Sequence, residues 1–366
     1  MFFPKYEISN RLLTSLIKVE LDLNIIKNIE VPIEWQSRLK KEVIVKRLVN
    51  SLRFLGISLD TETVSKIVFD EPGRDEQTSD VAKRLELVVK ESELQAALNW
   101  VNASRLVEQI VYLSTKFKQN EVGEKDLVSI NKMLGERLIA AESLGDWRKD
   151  SFVEGSAISH PKTHEVLFQL EDVLLWYKTA LPEKIHPVLK GVVIFYELMR
   201  IRPFLHSNLI TAFLYMMMTI EMGGYNLGLC AIEEELFKIK EKLFHTLATV
   251  SDSEDGMSLL MELVVDVFAA ACEKNKLRVM SVTGESVKYK TEAGRAVALT
   301  ERQVALMEEL TVKGQLTIKE LRQVLPLVSD DTILRDLKDL VAKKMIRKRG
   351  KTKGAVYVLG KVKSFR

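Results

Sequence analysis

A chain of 366 residues, 46% hydrophobic and 29% charged, has room for two or three domains and a sizeable core. Only 17 Gly and 8 Pro are present, too few for the closely spaced turns of a β-sandwich or barrel, so long helices are expected. The net charge of +3 conceals an asymmetry: residues 285–366 hold 19 Lys/Arg against 10 Asp/Glu, whereas residues 1–284 hold 35 against 41. A basic module attached to an acidic body implies that the two meet different partners. Cys230 and Cys272 stand apart in apolar surroundings and read as reduced core residues, neither a disulfide nor a metal site. No basic-then-apolar leader opens the sequence, and the apolar run at 209–218 falls short of the roughly 20 residues that span a bilayer. A cytoplasmic protein with no membrane contact is expected.

The first helix covers about 8–29, with Leu12, Leu13, Leu16, Ile17, Leu21 and Ile25 at helical spacing. A second runs from about Pro32, suited to a first turn, to Gly56, suited to an end. Capping residues at 60–63 start a short third helix, and 71–75 is a turn. Long helices are predicted over 78–102 and 104–118, then an amphipathic stretch over 124–141. Residues 145–160 read as a loop or small hairpin. Helices resume at 162–179 and 186–200, where Pro187 suits a first turn. A tight connection over 202–208 leads into an apolar helix ending near Gly223 and Gly224, and helices over 231–250 and 256–275 complete the body. The helical pattern weakens through 283–286, and residues 277–298 are the expected linker.

The basic C-terminal segment, 299–366, is the most informative. Thr300 caps a helix with Gln303 reaching back to it, and Val304, Met307 and Leu310 form its buried stripe up to Gly314. Thr317 caps a second helix carrying Ile318, Leu321 and Leu325, ended by Pro326. Ser329 caps a third, with Ile333, Leu337, Leu340 and Val341 inward and Asp331, Thr332, Arg335 and Lys338 outward. The basic run from Ile346 to Gly354 and the alternating Ala355 to Leu359 then form a hairpin. No acid follows Asp339, and seven basic residues fall between Lys343 and Lys353. Three helices and a basic-tipped hairpin describe a winged helix, and the string 328–340 resembles the recognition helix of bacterial DeoR-type regulators. That resemblance implies double-stranded DNA as partner, with Ser329 at the helix start and Thr332, Arg335 and Lys338 in the major groove. Arg347, Lys348, Arg349, Lys351 and Lys353 would lie on backbone phosphates. Winged-helix regulators usually read paired half-sites, so a homodimer is expected.

In the body, His186 and Pro187 followed by Arg202-Pro203-Phe204-Leu205-His206-Ser207-Asn208 resembles the Fic (Fido) family, whose motif is His-Pro-Phe-x-Asp/Glu-Gly-Asn-Gly-Arg-x-x-Arg. Weaker likenesses lie at Tyr6 to Leu16, at Gly145-Asp146-Trp147-Arg148 before the family's flap, and at Val166 to Lys178. The implied fold is mainly α: a Fic-like helical bundle with a small flap hairpin, plus the α+β winged helix. The expected division is 1–80 for an N-terminal helical region, 81–276 for the Fic-like core, 277–298 for the linker and 299–366 for the winged helix.

Active members of that family transfer a nucleotide monophosphate to a hydroxyl, using a histidine base, an acid for Mg²⁺, and glycines and arginines for phosphate. Carried over to this chain, the resemblance implies loss. Arg202 stands at the base and cannot accept a proton. His206 replaces the acid, Ser207 and Leu209 the glycines, Ile210 and Phe213 the arginines; only Pro203, Phe204 and Asn208 persist. A missing base costs ~10²–10⁴ in rate. The family's inhibitory Ser/Thr-x-x-x-Glu-Gly/Asn has its counterpart at Ser51 to Gly56, with Leu55 at the glutamate. No catalytic residue, cofactor or metal is therefore expected. His206–Ser207 is weighed as a base–nucleophile pair and His160–His164 as a metal pair, and both read better as loop polar residues. Met216–Met218 reads as core filling, and Arg202 as an internal ion-pair partner or, failing that, a receptor for an anionic ligand. The leading expectation is an inactive Fic-like, DNA-binding regulator. The alternatives are a divergent nucleotidyl- or phosphotransferase, or an interaction module holding a protein in the former pocket.

Overall fold

The computed structural model describes residues 2–31, 33–117, 123–149, 158–179, 185–250, 253, 255–283, 289–290, 296–297, 299, 301–325, 328, 330–350 and 355–360. It is mainly helical, as the sequence predicts, and divides into two compact units. One holds residues 1–27 and 37–275; the other holds 28–36 and 276–366. No helix among the described residues is long and apolar enough to cross a membrane.

In the larger unit, α1 (Asn10–Asn28) and α2 (Ile33–Phe54) precede α3 (Thr61–Asp70), which Asp60 caps by accepting from the Thr63 N–H at 2.8 Å. Of the apolar residues predicted as one stripe on α1, only Leu12 and Leu16 are buried, with Val19; Leu13, Ile17, Leu21 and Ile25 are exposed. The predicted long helix over 78–102 is instead α4 (Thr78–Arg84), a turn, and α5 (Glu91–Phe117). The break is a Schellman closure: Glu86 takes φ 52°, and the N–H groups of Glu86 and Leu87 donate to Lys83 and Ala82. No glycine marks this site, so sequence reasoning missed it. The stretch predicted over 124–141 stops at Gly135, forming α6 (Glu124–Gly135), and a 3₁₀ turn follows at Ala141–Ser143.

Next come α7 (Val166–Thr179), α8 (Pro187–Ile201) and α9 (Asn208–Met222). Pro187 occupies the first turn of α8, and His186 Nδ1 accepts from the Val188 N–H at 3.2 Å. Helix α9 lies inside the core, with Met216, Met217 and Met218 all buried as filling. The helix predicted over 231–250 is broken at Ile239 into α10 (Ile232–Lys238) and α11 (Lys240–Thr249). Helix α12 (Gly256–Thr283) runs past 275, into the stretch read as linker. Cys230 and Cys272, which the sequence separates by 42 positions, meet in the core with their Sγ atoms 3.6 Å apart, both free thiols.

The smaller unit includes a short pair, β1 (Tyr289–Lys290) and β2 (Ala296–Val297). It continues with α13 (Glu301–Lys313), β3 (Gln315–Thr317), α14 (Ile318–Val324), α15 (Asp330–Ala342), β4 (Ile346–Arg349) and β5 (Val356–Leu359). The antiparallel sheet has the order β3-β5-β4, and the β4–β5 hairpin pairs Arg347 with Val358 and Arg349 with Val356. Leu306, Met307, Leu310, Leu321, Ile333, Leu337, Leu340 and Tyr357 form its core. Val341, predicted inward, is exposed.

Candidate functional site

The 202–208 connection exists because Pro203 follows α8. A residue before proline is driven out of the α region, and Arg202 takes φ 47°, ψ 66° while its N–H still donates to Leu198 at 2.9 Å. The loop then docks on the Gly145-Asp146-Trp147-Arg148 segment. Arg148 N donates to the Pro203 carbonyl at 2.8 Å, Leu205 N to the Asp146 carbonyl at 3.2 Å, and the Trp147 and Phe204 rings stack 5.0 Å apart. The flap residues 150–157 lie outside the described residues.

Asn208 is the loop's clasp: its Oδ1 accepts from Phe204 N at 3.0 Å and its Nδ2 donates to Phe204 O at 2.8 Å. Ser207 stands just before α9 with φ 55°, a left-handed conformation that glycine adopts at no steric cost. His206 turns toward α6. Its carbonyl accepts from Asn131 Nδ2 at 2.9 Å, and its ring fills the space above Gly135, where a Cβ would come within 2.6 Å of Cε1. The weighed pair does meet: His206 Nδ1 lies 3.1 Å from Ser207 Oγ. The other ring nitrogen, Nε2, is buried without a hydrogen-bond partner among the described residues, and none of these is an acid that orients the pair as a base–nucleophile device would need. Burial holds the His206 pKa below its ordinary value.

The two positions aligned with the family's arginines are sealed in the core: Ile210 and Phe213 are each 1% exposed. Phe213 stacks on Phe195 at 5.0 Å and tilts against Phe54 of α2 at 5.2 Å. Ser51 is buried and Leu55 exposed, so the aromatic contact from α2 reaches α9 one residue before the aligned glutamate position.

The cations of this region are unevenly matched. Arg200 is neutralised by Glu197 at 2.6 Å and bonded to Gln169. Arg148 is buried, with Nε donating to the Ile201 carbonyl at 3.3 Å and a second nitrogen to the Pro161 carbonyl. Arg202 is half-buried, and its side chain makes no ion pair or hydrogen bond among the described residues, against the expected internal salt bridge. Burial lowers the pKa of Arg202; burial and then the charge of Arg202 lower that of Arg148. His160 Nδ1 donates to the Arg200 carbonyl at 2.8 Å, and burial, with Arg202, Arg148 and Arg200 nearby, keeps its pKa low. No cluster of three His, Cys, Asp or Glu that could hold a metal exists among the described residues.

In the smaller unit, Asp331, Arg335 and Lys338 are exposed on α15, and Thr332 is partly so. The other acids of α15 are paired within the unit: Asp330 with Arg322, Asp336 with Arg302 at 2.6 Å, Asp339 with Lys343 at 2.6 Å. Arg335, Lys338, Arg347, Lys348 and Arg349 form no ion pair among the described residues, and the three on β4 are exposed. Ser329, Lys351 and Lys353 lie outside the described residues, as does Thr300; Gln303 Nε2 donates to Asp339 at 2.6 Å. The capping box at the start of α14 is complete, with Thr317 Oγ1 accepting from Glu320 N and Glu320 accepting from Thr317 N at 2.7 Å.

This geometry defines a class: a helical bundle with a proline-turned loop feeding a buried helix, and a separate small α+β unit. Residues 121–220 match the Fic/DOC family, so the chain carries a Fic/DOC domain over α6 to α9. Three solved structures share the fold. A Fic family protein from Desulfovibrio desulfuricans G20 is 18% identical over 100% of both chains, TM-score 0.59. Fic-1 (residues 134–508) from C. elegans is 14% identical over 75% of this chain and 74% of that one, TM-score 0.58. A Fic-domain-containing signaling protein from Bacteroides thetaiotaomicron VPI-5482 is 13% identical over 75% of this chain and 98% of that one, TM-score 0.57. No curated protein matches the sequence.

Proposed function

We propose that this protein is a catalytically inactive Fic-type protein that works as a homodimeric DNA-binding regulator, using its C-terminal unit as a winged helix. The observation that carries the reading is the pairing pattern of α15 and β4: three of four α15 acids are consumed by neighbouring cations, while Arg335, Lys338, Arg347, Lys348 and Arg349 are left for an external polyanion. Ser329, Thr332, Lys351 and Lys353 belong to the same proposed surface. Inactivity is supported by the guanidinium at position 202 and by Ile210 and Phe213, whose burial leaves no phosphate clamp.

DNA binding by the full chain tests this. Arg349→Ala should weaken binding about equally for all sequences and make the salt slope shallower by roughly one unit, whereas Arg335→Ala should cost about 1–3 kcal/mol and act on sequence preference. Absence of binding to any duplex, or binding insensitive to salt, overturns the reading.

A second reading is favoured by Arg202. A half-buried guanidinium with no ion pair among the described residues, beside buried Arg148, suits a small oxyanion at the former catalytic position, which would act as an effector.

A further inference from the structure

Helix α1 has two apolar faces. Leu12, Leu16 and Val19 are buried in the body. On the opposite side Leu13, Ile17, Leu21 and Ile25 are 49%, 50%, 58% and 40% exposed, at a repeat of four residues. At about 100° per residue these four fall on one face with Thr14, Asn10 and Asn24, and no charged residue lies among them. The Thr14 hydroxyl donates to the Asn10 carbonyl at 2.7 Å, so its burial leaves no donor unmet. A surface helix ordinarily carries charges on its outer side; an uncharged aliphatic stripe there marks a contact surface.

We infer that α1 is the homodimer interface, each copy laying this stripe against the same stripe of the other, with the two helices parallel. The inference rests on the dimer of the proposed function and names its surface. Charge complementarity selects the occupant. Lys18 and Glu20 sit on opposite edges of the stripe, and Lys18 makes no ion pair or hydrogen bond among the described residues. Glu20 accepts from His186 and Tyr225 yet stays half exposed. In a parallel pair the Lys18 edge of one copy meets the Glu20 edge of the other, twice by symmetry, as flanking charges do in parallel helical dimers. The size is adequate. Nineteen helical residues span about 28 Å, and exposed Phe3 and Ile8 precede them, so the strip can form the apolar centre of an interface of roughly 800 Å² per copy.

Sedimentation or light scattering of the full chain at about 10 µM, an ordinary range for a regulatory dimer, decides the matter. The expected mass is twice the 41.7 kDa of one chain, falling to one chain mass in Ile17→Glu with an unchanged circular dichroism spectrum. A native dimer that Ile17→Glu leaves dimeric overturns the α1 interface and leaves the dimeric reading standing; a native monomer overturns both. Lys18→Glu and Glu20→Lys should each weaken the dimer alone and recover it when mixed, as a heterodimer with both edges matched. Failure of the mixture to recover overturns the parallel arrangement.

Discussion

The motif loop of the Fic/DOC domain and the C-terminal hairpin are both rich in cations, and they dispose of them in opposite ways. Around 202–208, Arg148 is turned inward to carbonyl oxygens, Arg200 is matched by Glu197, and Ile210 and Phe213, at the positions aligned with the family's arginines, are buried in the core. On α15 three of the four acids are paired with neighbouring cations, while Arg335, Lys338 and the β4 cations stand exposed without ion pairs among the described residues. The pairing separates a region where Arg148 and Arg200 are matched and Arg202 alone is not from a surface whose cations form no ion pair among the described residues.

The sharpest way to break this contrast is to give the motif back an arginine. Phe213→Arg removes a ring stacked on Phe195 and tilted against Phe54 and places a guanidinium in the apolar core. Loss of a buried phenylalanine alone typically costs about 3–5 kcal/mol, and an unpaired buried charge adds to it. The expected outcome is a large fall in urea midpoint, or failure to fold, with no label transferred from ATP to protein. A variant that stays as stable as the parent and transfers label would overturn the proposed inactivity.

A smaller effect is expected at Arg202. If the former base position receives an oxyanion, inorganic phosphate should raise Tm relative to chloride of equal ionic strength, and Arg202→Gln should abolish the rise. Phosphate at ten times its Kd contributes about 1.4 kcal/mol. Equal response of parent and variant would place the anion elsewhere.

Much of the fold was legible because helical periodicity and proline are local signals: α8 begins at Pro187 and ends before Pro203, where the sequence expects it. What was not legible depends on tertiary context. The Schellman break at Glu86 uses no glycine, and the break at Ile239 carries neither glycine nor proline. At the site, the substitutions at 202, 206, 207, 210 and 213 are readable from motif spacing. Their consequences are not. That His206 would fold over Gly135 rather than face the loop depends on α6, some 70 positions earlier, and the meeting of Cys230 with Cys272 depends on the packing of α12. The outward stripe of α1 was visible as apolar periodicity, but periodicity alone cannot tell a second face from one broad one.

The smallest predicted effect concerns that inward histidine. Burial lowers the folded-state pKa of His206, and of His160, below the ordinary 6.5. Just below pH 6.5 the unfolded chain therefore binds more protons at these residues than the folded one does, and stability falls with falling pH, levelling once the folded-state values are passed. Glu197 and Glu221 act in the opposite sense, since burial raises their folded-state pKa above 4.5, and they add stability as pH falls toward that value. The sign of the whole curve is thus a contest, and a single-residue difference isolates the histidine. His206→Asn keeps a polar side chain near Ser207 but cannot titrate. Between pH 7.5 and 5.5 the parent should lose more stability, read as a larger fall in Tm, than His206→Asn. Parallel curves would mean that His206 reaches solvent or a partner in the acid form, and that the loop retains the freedom a working Fic motif would need.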